Sequence, residues 1–264
     1  MINIRQSLRI WTAWAVVLLS LLFHSLASFA QTSVGVPPLI GEHPQPAFGF
    51  EVGVGQNSQS GTMECDCGTT FTGGSGTGWS SSAFYELPIG NDFNVGIKAG
   101  FNRENTSTIT PSTEVVVARL SGSSQDTTLP IQGSRTGSVT LTILQFEPFA
   151  QYQILNSNFF LQVGAGISVL LRNDFTQTRQ LSSNSPYSFT NGTKSEAIQG
   201  GNIGGITSPQ FSGLLSAGYN FRFGTISIAP MVNYDYPFST NSSAGGNNWK
   251  ISTVSGLIAM KFNL

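Results

Sequence analysis

The sequence predicts an all-β protein, an eight-stranded antiparallel up-and-down transmembrane β-barrel with long extracellular loops and short periplasmic turns. Three observations support this: a secretory signal at the start, eight later segments that alternate apolar with small or polar residues, and only 9% charged residues. Alternation of period two is typical of strands with one apolar face. After residue 30 no apolar run is long enough for a spanning helix, so a membrane location requires a closed barrel.

The first thirty residues have the features of a secretory signal peptide. Arg5 and Arg9 precede an apolar run over 13–23, and Ser28 and Ala30 are the small residues that signal peptidase recognises. We place cleavage after Ala30. The predicted organisation is a signal peptide over 1–30, a Pro-rich periplasmic tail over 31–46 and the barrel over 47–264.

The charge of the mature chain indicates no polyanionic partner. Loss of Arg5 and Arg9 reduces the 12 basic residues to 10, against 13 acidic residues, for a net charge of −3. Nucleic acid is therefore not an expected partner. We expect a monomer.

The first three strands are predicted over 47–55, 78–87 and 93–103. In the first, Phe48 to Val54 alternate with Gly and Glu residues. The Gly- and Ser-rich stretch 56–77 is predicted to be a loop, and the Pro-Ile-Gly-Asn-Asp sequence after the second strand has the composition of a tight turn.

Strands four and five are predicted over 138–154 and 159–175. A long polar segment precedes strand four, and Glu114–Leu120 within it could form a hairpin above the membrane. The alternative is a transmembrane hairpin over Glu114 to Gln132, which would give ten strands. The apolar positions of strand four change from odd to even numbers near Ile143 and Leu144. A one-residue change of phase is typical of a β-bulge, so we predict one there.

The last three strands are predicted over 210–223, 225–238 and 249–264, after another long polar loop. Pro230 lies within the seventh strand, where it cannot donate a ladder hydrogen bond. It therefore predicts a local interruption or bulge.

Aromatic residues are placed where interfacial girdles are expected. On the turn side these are Phe93, Phe159, Phe223 and Phe262, and on the loop side Trp79, Phe101, Phe175, Tyr236, Phe238 and Trp249.

The terminal strand and the loop pattern together indicate a family. Gly256, Met260, Phe262 and Leu264 lie on the apolar face of a strand at which the chain ends, and three short turns alternate with four long loops. This pattern resembles bacterial outer-membrane β-barrels of the OmpA/OmpX-like, porin-family type, whose terminal strand is an assembly signal. The resemblance implies a Gram-negative outer-membrane location, contact with outer-membrane lipid, and insertion by the barrel-assembly machinery through that strand.

The alternation also predicts which charges face the lumen. They are Glu51, Glu86, Lys98, Glu147, Arg172, Asp174, Arg222, Asp235 and Lys261. An eight-stranded barrel is about wide enough to be filled by its own side chains. We therefore favour a charge-neutralised plug over an ion-conducting path.

Enzymatic activity is not expected. The two His residues, His24 and His43, both precede the first strand, so no barrel His can act as a general base. No cofactor or metal is expected. Cys65 and Cys67 in the first loop are interpreted as a local disulfide or inert thiols, with metal binding or redox sensing as the alternative.

These observations favour a non-enzymatic surface protein with a structural or adhesion role, in which the extracellular loops contact an unknown partner. The alternative is a narrow porin-like channel or transporter for small solutes. A soluble periplasmic β-sandwich is a third class.

Overall fold

A computed structural model of the protein describes residues 45–64, 69–121, 123–154, 157–201, 203, 205–241 and 248–264. Cys65 and Cys67 lie outside the described residues. In the part of the chain that the structure describes, no helix is long and apolar enough to cross a membrane.

The fold is an eight-stranded antiparallel β-barrel, as predicted. Its elements are β1 (Ala47–Glu64), β2 (Thr70–Pro88), β3 (Phe93–Leu120), β4 (Asp126–Gln153), β5 (Phe159–Leu181), β6 (Tyr187–Phe189), β7 (Ser195–Gly201), β8 (Gln210–Tyr219), β9 (Phe221–Phe223), β10 (Ile226–Pro237) and β11 (Lys250–Asn263). The strands pair in the order β11-β1-β2-β3-β4-β5-β8-β10, and β10 pairs again with β11, which closes the ring of eight. β9 continues the line of β8 beside β10, while β6 and β7 pair outside the ring.

Several strands are longer than their sequence pattern indicates. The segment predicted as the first loop, 56–77, is mostly strand, because β1 and β2 remain paired as far as Glu64 and Thr70. β3 and β4 pair without interruption from Phe93 to Arg119. The region Glu114–Leu120 therefore extends an existing hairpin, and the ten-strand alternative is wrong. We call the end with the short connections the turn end and the opposite end the loop end.

Alternation divides each strand into a lumen face and an outward face. The outward side chains Phe50, Val52, Ile97 and Ile258 are each more than half exposed, while their neighbours Glu51 and Lys98 are buried. A ring of exposed apolar residues around a closed barrel is the surface that lipid covers.

The predicted bulge is present at the expected position but lies in β5 and not in β4. Residues of β4 alternate without a break, so Val139, Leu141 and Ile143 all face the lumen. The register shift between Thr142 and Ile143 arises because β5 has one more residue, at Leu171. The apolar phase change in β4 reflects apolar side chains inside the barrel, which the polar-inside rule does not anticipate.

The terminal strand closes the ring as the sequence indicates. β11 pairs with β1 from Asn263 to Lys250 and with β10 along its other edge. Met260 and Leu264 face outward, and the Phe262 ring stacks on Phe48 with 5.0 Å between centroids. Both edges of the barrel are thereby satisfied.

Pro230 marks a local interruption without a bulge. Met231 of β10 pairs with Gly218 of β8, and Ile228 pairs with Phe221 of β9 in the same register. Along this edge of β10, the two residues between Ile228 and Met231 form no pairs. Loss of the proline donor accounts for the gap.

Candidate functional site

The turn end of the lumen is closed by a buried ion pair. The Lys261 ammonium lies 2.9 Å from a carboxylate oxygen of Glu86 and donates to Gln151 at 3.1 Å. It also lies over the rings of Phe84 and Phe160, at 5.9 and 5.3 Å from their centroids. The buried ammonium is thus surrounded by a carboxylate, an amide oxygen and two aromatic rings, all of which stabilise a positive charge.

Apolar side chains surround this ion pair and fill the lumen above it. This lower apolar layer consists of Phe84, Phe149, Phe160, Ala229, Met231, Leu257 and Ala259. Gly49, Gly96 and Gly218 face the rings of Phe84, Phe149 and Phe160, and a Cβ at any of them would lie within 2.6 Å of a ring atom. These glycines provide the space for the aromatic rings.

A second buried cluster lies at mid-height. Lys98 is 3.2 Å from Glu51 and 3.6 Å from Glu147, and Gln162 donates to Glu147 at 3.4 Å. Two carboxylates therefore share one ammonium, and the cluster carries a formal excess of negative charge.

A polar chamber of about 60 Å³ lies above the mid-height cluster. Its walls include Glu104 and Asp235, and Gln145 donates to Asp235 at 3.3 Å. About 10–15 Å³ suffices for one water, so the chamber can hold several. Hydration is the physical means by which so many carboxylates can remain inside the barrel.

An upper apolar layer lies at the loop end of the lumen. Its buried members are Met63, Phe71, Val139, Leu141, Ile143, Phe175, Trp249 and Ile251. Phe175 and Trp249 were predicted as outward girdle residues, and that prediction is wrong because both side chains turn inward. The chamber is thus bounded by apolar layers towards both ends.

The predicted lumen charges divide into three groups. Glu51, Glu86, Lys98, Glu147, Asp235 and Lys261 face the lumen. Arg172 and Asp174 do not: the extra residue at Leu171 turns them outward, where they form an exposed ion pair of 2.8 Å. Arg222 is exposed at the turn-end rim and donates to Gln153 at 3.1 Å, away from Lys261.

Sequence reasoning missed Glu104. The predicted third strand ended at Arg103, but β3 continues and places Glu104 on the lumen face. Even-numbered residues of β3, such as Lys98, Gly100 and Asn102, face the lumen. Extending this alternation by two residues would have assigned Glu104 to the lumen face.

Beyond the loop-end rim, β3, β4 and β5 continue and are joined by β6 and β7. We call the pairing order β6-β3-β4-β5-β7 in this region the protruding sheet. The chain after β5 crosses to pair β6 with β3 and then returns to β5, burying a small core. That core consists of Val116, Ala118, Ile131, Leu181 and Phe189.

Ion pairs reinforce the protruding sheet. Arg135 donates to Glu114, while Arg179 lies 3.9 Å from Glu114 and 2.5 Å from Glu196. The hydrogen bond from Arg135 holds the pKa of the Glu114 carboxyl below its ordinary value.

Among the described residues, β3 has one edge without a partner strand in the protruding sheet. In the ranges that the structure describes, β2 pairs with β3 only as far as Ser107, and the pairing of β3 with β6 begins at Ala118. Along this stretch the outward side chains Ile109, Val115 and Val117 are 69%, 69% and 47% exposed. Unpaired backbone groups and apolar side chains are therefore presented together.

Over the ranges that the structure describes, no group of three or more His, Cys, Asp or Glu residues is arranged to hold a metal ion. The alternatives for Cys65 and Cys67 stay predictions.

Comparison with known proteins finds likeness in the fold alone. No protein-family model matches the sequence, and no curated protein matches it. Solved outer-membrane β-barrels do match. Ail, the attachment invasion locus protein of Yersinia pestis, is 12% identical with a TM-score of 0.32, over 83% of this chain and 100% of that one. Neisserial surface protein A is 12% identical with a TM-score of 0.36, over 83% and 99%. The outer membrane protease OmpT of Escherichia coli is 9% identical with a TM-score of 0.36, over 86% and 99%.

Proposed function

We propose that this protein is a non-enzymatic outer-membrane surface protein that binds an extracellular partner through its protruding sheet. The observation that carries the proposal is the open edge of β3 with its stripe of Ile109, Val115 and Val117. An unpaired edge of this kind accepts an added strand from another polypeptide, with backbone hydrogen bonds for affinity and side chains for specificity. The absence of His between 47 and 264 supports a role without catalysis.

Lysines on the β3 edge test this function. Vesicles carrying wild-type protein are compared with a Val115→Lys, Val117→Lys variant for attachment to immobilised polypeptides. Charge on an edge opposes strand addition, so we expect attachment to fall by roughly tenfold, the change that about 1.4 kcal/mol produces. Thr176→Lys with Gln180→Lys, on exposed positions of β5, is the matched control. Equal loss in both variants, or wild-type attachment no greater than that of empty vesicles, would contradict the proposal.

A narrow channel for small solutes is the second candidate, favoured by the acid-rich chamber, which is large enough for several waters. Opposing it, the two apolar layers lie between the chamber and the barrel ends. We propose a closed lumen and expect no single-channel steps in planar bilayers. Stable steps that Glu104→Gln alters in ion selectivity would favour the channel instead.

A further inference from the structure

A crevice on the outward surface of the barrel lies towards the loop end, where β11, β1, β2 and β3 adjoin. It measures about 440 Å³ and is bordered by Val54, Gly55, Gln56, Thr77, Gly78, Trp79, Asn105 and Val254. The crevice is open along the outward surface and is not an enclosed cavity.

The crevice has an apolar side and a polar side. Val54 and Trp79 face each other across β1 and β2 and are 71% and 47% exposed. One step nearer the loop end, Gln56 is opposite Thr77, and Asn105 donates to the Thr77 carbonyl at 2.9 Å. The apolar side is continuous with the exposed belt that includes Val52 and Ile258. A Trp at the boundary between such surfaces is typical of the membrane interface.

The wall beneath the crevice is thin. Gly55 and Gly78 are paired there and contribute no side chains. The β2–β3 ladder is also interrupted between Ser75–Ser107 and Gly78–Glu104. In this gap, the side-chain amide of Asn57 donates a hydrogen bond to the Asn105 carbonyl at 3.0 Å. Both glycines lie on the lumen face, so they thin the wall from inside, and the indentation of the outward surface coincides with the interrupted β2–β3 ladder.

Among the described residues, one cation beside the crevice has no partner. Arg103 is exposed on the outward face of β3, directly opposite Trp79. Within the described residues its guanidinium has no ion pair or hydrogen bond. An unpaired guanidinium at the interface, next to an apolar indentation, is complementary to a phosphate attached to an acyl chain.

We propose that this crevice binds one phospholipid of the surrounding leaflet, with an acyl chain against Val54, Trp79 and Val254 and the phosphate at Arg103. The site does not depend on the β3 edge of the protruding sheet. Ordinary annular lipid exchanges freely, whereas this lipid has both a shaped apolar contact and a charge contact.

Native mass spectrometry tests the site. The barrel is reconstituted in vesicles of equal parts phosphatidylglycerol and a neutral diglycosyl diacylglycerol with the same chains, then solubilised. We expect one retained lipid per protein, mostly phosphatidylglycerol. Arg103→Gln should reduce the preference for phosphatidylglycerol by roughly fivefold, as expected for about 1 kcal/mol per basic residue. Val254→Trp should remove retention of both lipids by filling the crevice.

Matched controls separate the site from general lipid contact. Val232→Trp adds the same side chain to the outward face of β10, and Arg172→Gln removes an exposed arginine elsewhere. Both should retain lipid as the wild type does. Equal retention by all variants, equal losses in variants and controls, or absence of a one-to-one adduct in the wild type would overturn the proposal.

Discussion

At the scale of residues, burial decides which charges stabilise the barrel. Lys261 and Glu86 have side chains only 7% and 8% exposed, whereas Arg172 and Asp174 are 71% and 39% exposed. Removing one member of a buried ion pair leaves the other charge buried and uncompensated. In an exposed pair, water solvates the charge that remains.

Lys261→Met and Arg172→Met should therefore differ sharply. We expect Lys261→Met to lower the free energy of unfolding by about 3–5 kcal/mol because the Glu86 carboxylate would stay buried without its ion-pair partner. The exposed Arg172→Met should change it by about 0–1 kcal/mol. Urea unfolding in lipid vesicles, followed by heat-modifiable gel migration, measures both. Similar effects of the two substitutions would show that the lumen pair is not buried as described.

At the scale of elements, the protruding sheet depends on a carboxylate that loses its ion pairs in acid. Because the folded pKa of Glu114 is lowered from its ordinary 4.5, its stabilising effect is complete above that value. The effect is lost as the pH falls through the folded pKa.

Acidification should loosen the protruding part of the β3–β4 hairpin before the barrel. We expect protection factors from hydrogen exchange to fall there below pH 4.5, with little change around Lys98. Glu114→Gln should lower protection at neutral pH and weaken its dependence on acid. Asp126→Asn, which removes an exposed pair with Arg119, is the control and should retain the wild-type profile. A uniform loss of protection along β3 in acid would contradict a role for Glu114.

The bulge in β5 gives a second prediction for an element. Leu171 and Arg172 both face outward, so deletion of Leu171 leaves the faces unchanged and makes the β4–β5 register continuous. We expect this deletion to assemble. Deletion of Ala165 should not, because it would turn one side of β5 inside out. The fraction of heat-modifiable protein in isolated membranes measures both, and failure of both deletions would mean that the bulge itself is needed.

At the scale of the whole molecule, ring closure depends on the terminal strand. Phe262 is paired with both Phe48 and Ile226, and the Leu264 amide donates to the Pro46 carbonyl at 2.9 Å. Without these residues the turn ends of β1 and β10 would lose their pairing with β11.

Deletion of Phe262–Leu264 should block membrane assembly without blocking secretion. We expect processed protein to accumulate unassembled, as measured by fractionation and heat-modifiable migration. Phe262→Leu, which keeps an apolar residue and the backbone pairing, should assemble normally. Normal barrels from the truncated chain would contradict the closing role.

Sequence reasoning recovered the eight strands, their ring order and the outward face of β11, because strand periodicity is local. It also identified Lys98 and Lys261 as lumen residues by parity alone. It failed at Arg172, where one extra residue reversed the parity, and at Glu104, where strand pairing continued beyond the apolar pattern. Glu114–Leu120 was predicted as a hairpin above the membrane, but the polar segments around it carry no hydrophobic period, so the extent of the protruding sheet has no local signal in the sequence.

The sequence by itself determined the fold class and closure of this protein, because alternation along each strand assigns one face to lipid and the other to the lumen. Only the tertiary structure decided which side chains meet across the lumen, where β3 lacks a partner strand among the described residues, and that Arg103 adjoins the crevice. The physical reason is that register and bulges depend on hydrogen bonds between strands distant in sequence, and a shift of one residue exchanges the two faces.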